Sequence, residues 1–280
     1  MHSMRRHGDY VCESSFRPTW VGALTLLVSL ATTTLCGGGE RLRVLTYNIH
    51  HGEGEDRKLD LERIAAVIRD ARPDVVSLQE VDRRVQRTRG VDQPTELARL
   101  AQLHVAFGAN IKLQGGEYGN AVLSRLPLTR HLNRPLPCLK NGEQRGVLEV
   151  EMAWPDERSR LVLLATHFDH RPDDAERRAS AEFVNQRARE LQESTPGVRV
   201  MLAGDLNDHP ASATLQRLRE AGWTTNDGEL PTIPVDAPKR QIDFILVRPS
   251  TAWRIVETQV LPEAIASDHR AVLMVLESAP

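Results

Sequence analysis

Short apolar runs that stop at a polar tip recur along the chain. Val198 to Ala203 runs into Gly204-Asp205-Leu206-Asn207, and Val75-Val76-Ser77-Leu78 runs into Gln79-Glu80. Leu161 to Ala165 ends in Thr166-His167-Phe168-Asp169-His170, and the alternating segment Arg41 to Tyr47 ends at Asn48. Runs of this length, without helical period, predict strands buried in a sheet with their polar ends exposed at a rim. Strand rims are where α/β proteins place their chemistry. Further strands are predicted over Asn120–Ser124, Gly146–Trp154, Ile242–Val247, Trp253–Val260 and Ala271–Leu276, with Gly146–Trp154 and Arg160–Thr166 forming a hairpin around Pro155-Asp156.

Between these runs the period changes. Leu61, Ile64, Ala65 and Ile68 recur at helical spacing up to Pro73-Asp74, and Pro94–Leu103 reads as a short helix. Asp173–Glu193 is the longest helix, with Ala181, Val184, Ala188 and Leu191 on one face. Another helix is expected over Ala211–Ala221, with Pro210 suited to its first turn. Gln114–Gly119 reads as a turn-rich loop, and Asn226–Lys239 as a polar, proline-bearing one. No repeat or linker interrupts residues 41–280, which predicts a single α/β domain.

The first forty residues differ. Arg5, Arg6 and Arg17 precede an apolar stretch, Trp20–Leu30, that is short of the about 20 residues a spanning helix needs. Residues 1–40 are therefore expected to be an export leader, placing the domain in the periplasm or outside the cell. Cys36, ahead of Gly37-Gly38-Gly39, is a candidate lipid-anchor site. Only Cys138 lies in the body, so the domain cannot form an internal disulfide and must rest on its core.

With 280 residues, 40% of them hydrophobic, the chain can bury a large core. A formal charge of −2 supplies no global basic field for nucleic acid, and 4% aromatic content argues against a stacking platform for single strands. Neither excludes a phosphate ester as ligand. The polar tips carry Asn48, Glu80, His167, Asp205, Asn207, Asp268 and His269, and Asp243 interrupts an apolar strand. Bringing several acids together is costly unless they share a cation or hydrogen bonds. The donors on offer are oxygens, which suits Mg²⁺, with Mn²⁺ as its substitute, over zinc. His50-His51 and the near-adjacent His167 and His170 read as ordinary solvated loop histidines.

Tyr47-Asn48-Ile49, Gln79-Glu80-Val81, Thr166-His167, Gly204-Asp205-Leu206-Asn207, Ile242-Asp243 and Ser267-Asp268-His269 occur in the order seen in the endonuclease/exonuclease/phosphatase superfamily, and the whole chain after the leader resembles it. The resemblance implies a DNase I-like, four-layer α/β sandwich of two packed mixed β-sheets flanked by helices. It also implies Mg²⁺-dependent hydrolysis of a phosphoester. It assigns Glu80 as the main metal ligand, with Asn48 joining it at the metal site or orienting it or the phosphate, and Asp268 as a candidate second ligand. Asp205 corresponds to the base that activates water, and Asn207 to the group holding that water or a phosphate oxygen. His269 corresponds to the donor to the phosphoryl oxygen, with Asp243 fixing its tautomer. His167 corresponds to the histidine that protonates the leaving oxygen, with Glu117 as its acidic partner, and Arg145 is a candidate phosphate contact.

The chain departs from the abasic-site branch, which carries an acid where His50 stands. Two classes of function follow. One is an enzyme, either a nuclease-like phosphodiesterase or a sphingomyelinase-like or phosphomonoesterase hydrolase. The other is a non-catalytic binding module of the same fold. The expected partner is the phosphoester itself (nucleic acid, lipid head group or small ester), with no obligate protein partner and a monomeric state.

Overall fold

The first alternating segment forms β1 (Arg41–Asn48) in the computed structural model, which describes residues 40–139, 142–154 and 160–279. The expected leader, but for its last residue, and the turn around Pro155-Asp156 lie outside these residues. With β1 go β2 (Val75–Arg83), β3 (His104–Leu113), β4 (Gly116–Ser124), β10 (Trp253–Val260) and β11 (Val272–Ser278) in a six-stranded sheet of order β10-β11-β1-β2-β4-β3. A five-stranded sheet runs in chain order through β5 (Leu128–Pro135), β6 (Gly146–Ala153), β7 (Arg160–His167), β8 (Arg199–Asp205) and β9 (Asp243–Arg248). Each sheet is mixed: β1 with β2 and β7 with β8 are parallel, whereas their other neighbours are antiparallel.

The strands are apolar on both faces because both are covered. Val44, Val122, Leu163, Met201, Ile245 and Met274 belong to the core between the sheets. The alternate residues of the six-stranded sheet, such as Leu45, Val76 and Leu273, pack with α1 (Leu61–Ala71) and α2 (Gln93–Ala101). Those of the five-stranded sheet, such as Val162, Leu164 and Leu202, pack with α3 (Ala175–Ser194) and α4 (Ala213–Glu220). The result is the expected four-layer sandwich. Side-chain caps start three of the helices, with Asp60, Asp92 and Ser212 accepting from the backbone N–H of Arg63, Thr95 and Leu215. Among the described residues no helix is long and apolar enough to cross a membrane.

Three local readings are corrected. The loop expected over Gln114–Gly119 shrinks to the turn Gln114-Gly115, with φ of 45° and 84°, between β3 and β4. The helix after Asp205 starts at Ala213, capped by Ser212, so Pro210 stands outside its first turn. β3 and β5 lie at sheet edges and had no sequence counterpart, because β5 is largely exposed and carries no apolar alternation.

Gly204, next to the end of β8, lies so close to β7 that a Cβ there would fall 1.9 Å from the Thr166 carbonyl oxygen. That neighbour is backbone and cannot turn aside. Gly204→Ala is expected to lower stability by about 1–3 kcal/mol or more through overpacking, read by urea denaturation; an unchanged midpoint would contradict this packing.

Candidate active site

Strand register places three of the predicted residues abreast. His167, the last residue of β7, pairs across the sheet with Asp205, the last of β8, and Asp205 stands opposite Asp243, the first of β9. In the other sheet Asn48 ends β1, and Glu80 occupies a bulge where the pairing of β2 with β4 skips from Leu78 to Val81. Glu80 has φ of 60°, the left-handed conformation a bulge imposes to re-aim a side chain. The loop carrying His269 is tied to β1 because Ser267 Oγ donates to the Asn48 carbonyl at 2.7 Å.

Asn48 joins the two sheets. Its Nδ2 lies 3.1 Å from Glu80 Oε1 and 3.2 Å from Asp205 Oδ2, while its Oδ1 accepts from the His50 backbone N–H at 3.1 Å. With its amide hydrogens facing the acids, Asn48 orients both carboxylates, and its Oδ1, which accepts one hydrogen bond, keeps a second lone pair.

Asp205 is at the centre. Its Oδ1 accepts from the Asn207 backbone N–H at 2.8 Å, and its Oδ2 lies 3.4 Å from His167 Nε2 and 3.8 Å from His269 Nε2. Burial and then the charge of Asp243 push its pKa up to about 7, against the opposing pull of His269, Asn207 and Asn48. His269 Nδ1 lies 2.9 Å from Asp243 Oδ2, an oxygen that also accepts from Thr232 Oγ at 2.5 Å. Burial by itself would lower the His269 pKa, but the Asp243 carboxylate beside it raises it to about 10. His269 is therefore an imidazolium at neutral pH, donating to Asp243 through Nδ1 and directing its Nε2 proton toward Asp205.

His167 is in the opposite state. Arg145 Nη1 lies 3.1 Å from its Nδ1, and because a guanidinium can only donate, Nδ1 must accept and the ring proton sits on Nε2. Burial, and after it the Arg145 charge, hold the His167 pKa well below the ordinary histidine range. The acidic partner expected in Glu117 is not there: Glu117 is held by Arg83 and Lys112 through charge-assisted hydrogen bonds. Its strand was read as loop, and in β4 it lies opposite Arg83. Arg145, the residue expected to contact phosphate, is itself buried, bonded to Glu143 and His170 as well as His167. A neutral His167 donates a hydrogen bond and does not supply the leaving group with a proton as an imidazolium would.

These groups form the floor and wall of a cleft of about 480 Å³. Glu80, Arg145, His167, Asp205, Asn207 and His269 face it, so Arg145, though mostly buried, reaches the cleft, and His170, Glu143 and Arg240 join them from loops. The Asn207 Nδ2 group is pinned back on the Phe168 carbonyl at 3.1 Å. Asp268 is half-exposed beside His269, held by Ser267 Oγ at 3.3 Å, and is not among the cleft-lining residues. His170 and Glu143 escaped the sequence reading; the His167-x-x-His170 spacing was the available signal, discounted because such histidines are usually solvated.

One ligand-type atom each from Asp205, Asp243 and His269 lie within 4.8 Å of one another, a buried group able to hold a metal ion. Asp243 Oδ2 is already taken by His269 and Thr232, whereas its buried Oδ1 has no hydrogen-bond partner among the described residues. Glu80 is the more exposed candidate ligand. Burial raises its pKa, but the neighbouring His51, His167 and Asn48 together outweigh it and bring it well below the usual carboxylate range. Its side chain remains 23% exposed, and Asn48 occupies only Oε1.

The arrangement is a carboxylate ringed by three N–H donors from Asn48, His167 and His269. Donors fixed in advance at the cleft floor can stabilise negative charge that develops on a group bound beside the carboxylate.

The Endonuclease/Exonuclease/phosphatase family model matches residues 45–269. An Escherichia coli K12 protein, the uncharacterised YbhP, is 30% identical over 223 residues, covering 75% of this chain and 86% of its own. A 5'-tyrosyl-DNA phosphodiesterase of Caenorhabditis briggsae is 25% identical over 171 residues, covering 60% of this chain and 45% of its own. The crystal structure of an endonuclease/exonuclease/phosphatase from Beutenbergia cavernae superposes with a TM-score of 0.72 at 28% identity, covering 85% of this chain and 72% of that one.

Proposed function

Since the chain belongs to the endonuclease/exonuclease/phosphatase family of hydrolytic phosphoesterases, we propose that it is a divalent-metal-dependent phosphodiesterase in which Asp205 activates the attacking water. The observation that carries this reading is the buried Asp205 carboxylate, its pKa raised to about 7, on a cleft floor where Asn48, His167 and His269 converge. A base with a pKa near the working pH both carries a useful charge and accepts a proton readily. Water held between Asp205 and a phosphorus atom in the cleft gives up its proton to Oδ2. The imidazolium of His269, its charge balanced by Asp243, donates from Nε2 to a non-bridging phosphoryl oxygen, and the neutral His167 donates beside it. Glu80, with Asn48 orienting its carboxylate, would hold Mg²⁺ or Mn²⁺. The ion would polarise a phosphoryl oxygen and offset the charge of the in-line displacement.

A diester is favoured over a monoester by the relation to a phosphodiesterase at 25% identity, and the leader expected over residues 1–40 supports an extracytoplasmic enzyme. The test is hydrolysis of bis-p-nitrophenyl phosphate and p-nitrophenyl phosphate by the full chain, with Mg²⁺ and with chelator. Release from the diester alone, lost on chelation, is the expected result. Release from the monoester alone would replace the diester reading with a phosphomonoesterase, and silence on both would favour the binding module.

A further inference from the structure

We propose that His51 is a nitrogen ligand of the metal ion at Glu80, with Glu53 as the carboxylate behind its ring, and that this ligand tunes the centre toward Mn²⁺ over Mg²⁺. The inference rests on the reading of Glu80 as a metal ligand. As one of two adjacent loop histidines, His51 is expected to be solvated, yet its side chain is only 14% exposed. Its Nδ1 is buried with no hydrogen-bond partner among the described residues, and it lies 4.0 Å from Glu80 Oε2, the oxygen that Asn48 leaves open. Two atoms each about 2.1 Å from one ion are at most about 4.2 Å apart, so this separation admits a shared cation, and it is too long for a direct hydrogen bond.

The other ring nitrogen completes the pattern. His51 Nε2 lies 3.9 Å from Glu53 Oε2. At that distance no hydrogen bond is made in this structure, but a small turn of either side chain would bring the carboxylate onto the ring N–H, where it would fix the tautomer and raise the basicity of a ligating imidazole. The backbone is committed to this arrangement. His51 has φ of 44°, next to His50 at 43°, and Glu80 opposite has φ of 60°, conformations that non-glycine residues rarely hold without compensation. Gln93 Nε2 clamps the turn by donating to the His51 carbonyl at 2.6 Å. Mg²⁺ takes oxygen ligands almost exclusively, whereas Mn²⁺ accepts imidazole more readily, so a nitrogen at this position favours Mn²⁺.

The test uses the full chain loaded with Mn²⁺ and pulsed electron paramagnetic resonance, which detects ¹⁴N of a directly bound imidazole. His51→Asn is the variant, because asparagine tolerates a positive φ. The expected result is imidazole ¹⁴N modulation in the wild type and its loss in His51→Asn, with Mn²⁺ affinity falling about 10–100-fold and the Mn²⁺ over Mg²⁺ preference narrowing in competition titrations. Bound Mn²⁺ without ¹⁴N coupling, or coupling that survives in His51→Asn, overturns the proposal while leaving Glu80 as a ligand. Failure of the wild type to bind Mn²⁺ at all overturns both. Should His51→Asn not fold, Glu53→Gln serves instead: the ¹⁴N coupling should persist with about tenfold weaker binding, and undiminished affinity counts against the assignment.

Discussion

Asp205→Ala is expected to reduce turnover of bis-p-nitrophenyl phosphate by about 10²- to 10⁴-fold, the range for loss of a positioned general base, with circular dichroism unchanged. Asp205 is buried at the end of β8, and the strand beneath it is set by apolar packing that the substitution leaves in place. The wild-type pH profile carries the same signature. The base must be ionised to accept a proton, and its pKa is pushed up to about 7. kcat/KM should therefore rise about tenfold per pH unit below that value and level off above it. Residual activity above a tenth of wild type in Asp205→Ala would remove Asp205 from the mechanism.

Asp243→Asn should move both limbs of that profile. In the wild type the Asp243 carboxylate holds the His269 imidazolium to about pH 10, in spite of the burial that opposes its charge. An amide of nearly the same size keeps the shape but removes the charge, so the His269 pKa falls to about 6.5 or lower. The alkaline limb then enters the neutral range, and with only about 3% of His269 protonated at pH 8, activity there drops by about 30-fold or more. The same change removes the neighbouring charge that raises Asp205, so the acid limb shifts toward lower pH. Variant and wild type should differ most above pH 8 and least near pH 6. A variant whose rate stays level from pH 7 to 9 would show that Asp243 does not sustain the imidazolium.

Much of this was legible because strand ends leave a mark in sequence. Apolar runs that stop at Asn48, His167 and Asp205 show where the strands end, since each run is covered on both faces, whereas the run stopping at Glu80 marks a bulge within β2, which continues to Arg83. Which ends meet is a matter of register, and register is not written in any single run. His167, Asp205 and Asp243 stand abreast only because β7, β8 and β9 pair as they do. Edge strands left the weakest mark: without β3 in view, the segment holding Glu117 looked like loop, and its attachment to Lys112 could not be foreseen. Arg145 shows the same limit in charge. A lone arginine ahead of a strand reads as surface, and its burial against two histidines follows only from the fold.

Asn48 and Glu80 come from one sheet and His269 from the loop joining its strands β10 and β11, whereas His167, Asp205 and Asp243 come from the other sheet. Beneath them, Ser77 Oγ donates across the interface to the Ala203 carbonyl at 3.0 Å, and Asn48 reaches Asp205 above. During refolding, therefore, neither sheet contains a competent centre however completely it has formed. Hydrolysis should begin only when the two faces dock, making the appearance of activity a clock for that last step and leaving a chain with just one sheet formed inert.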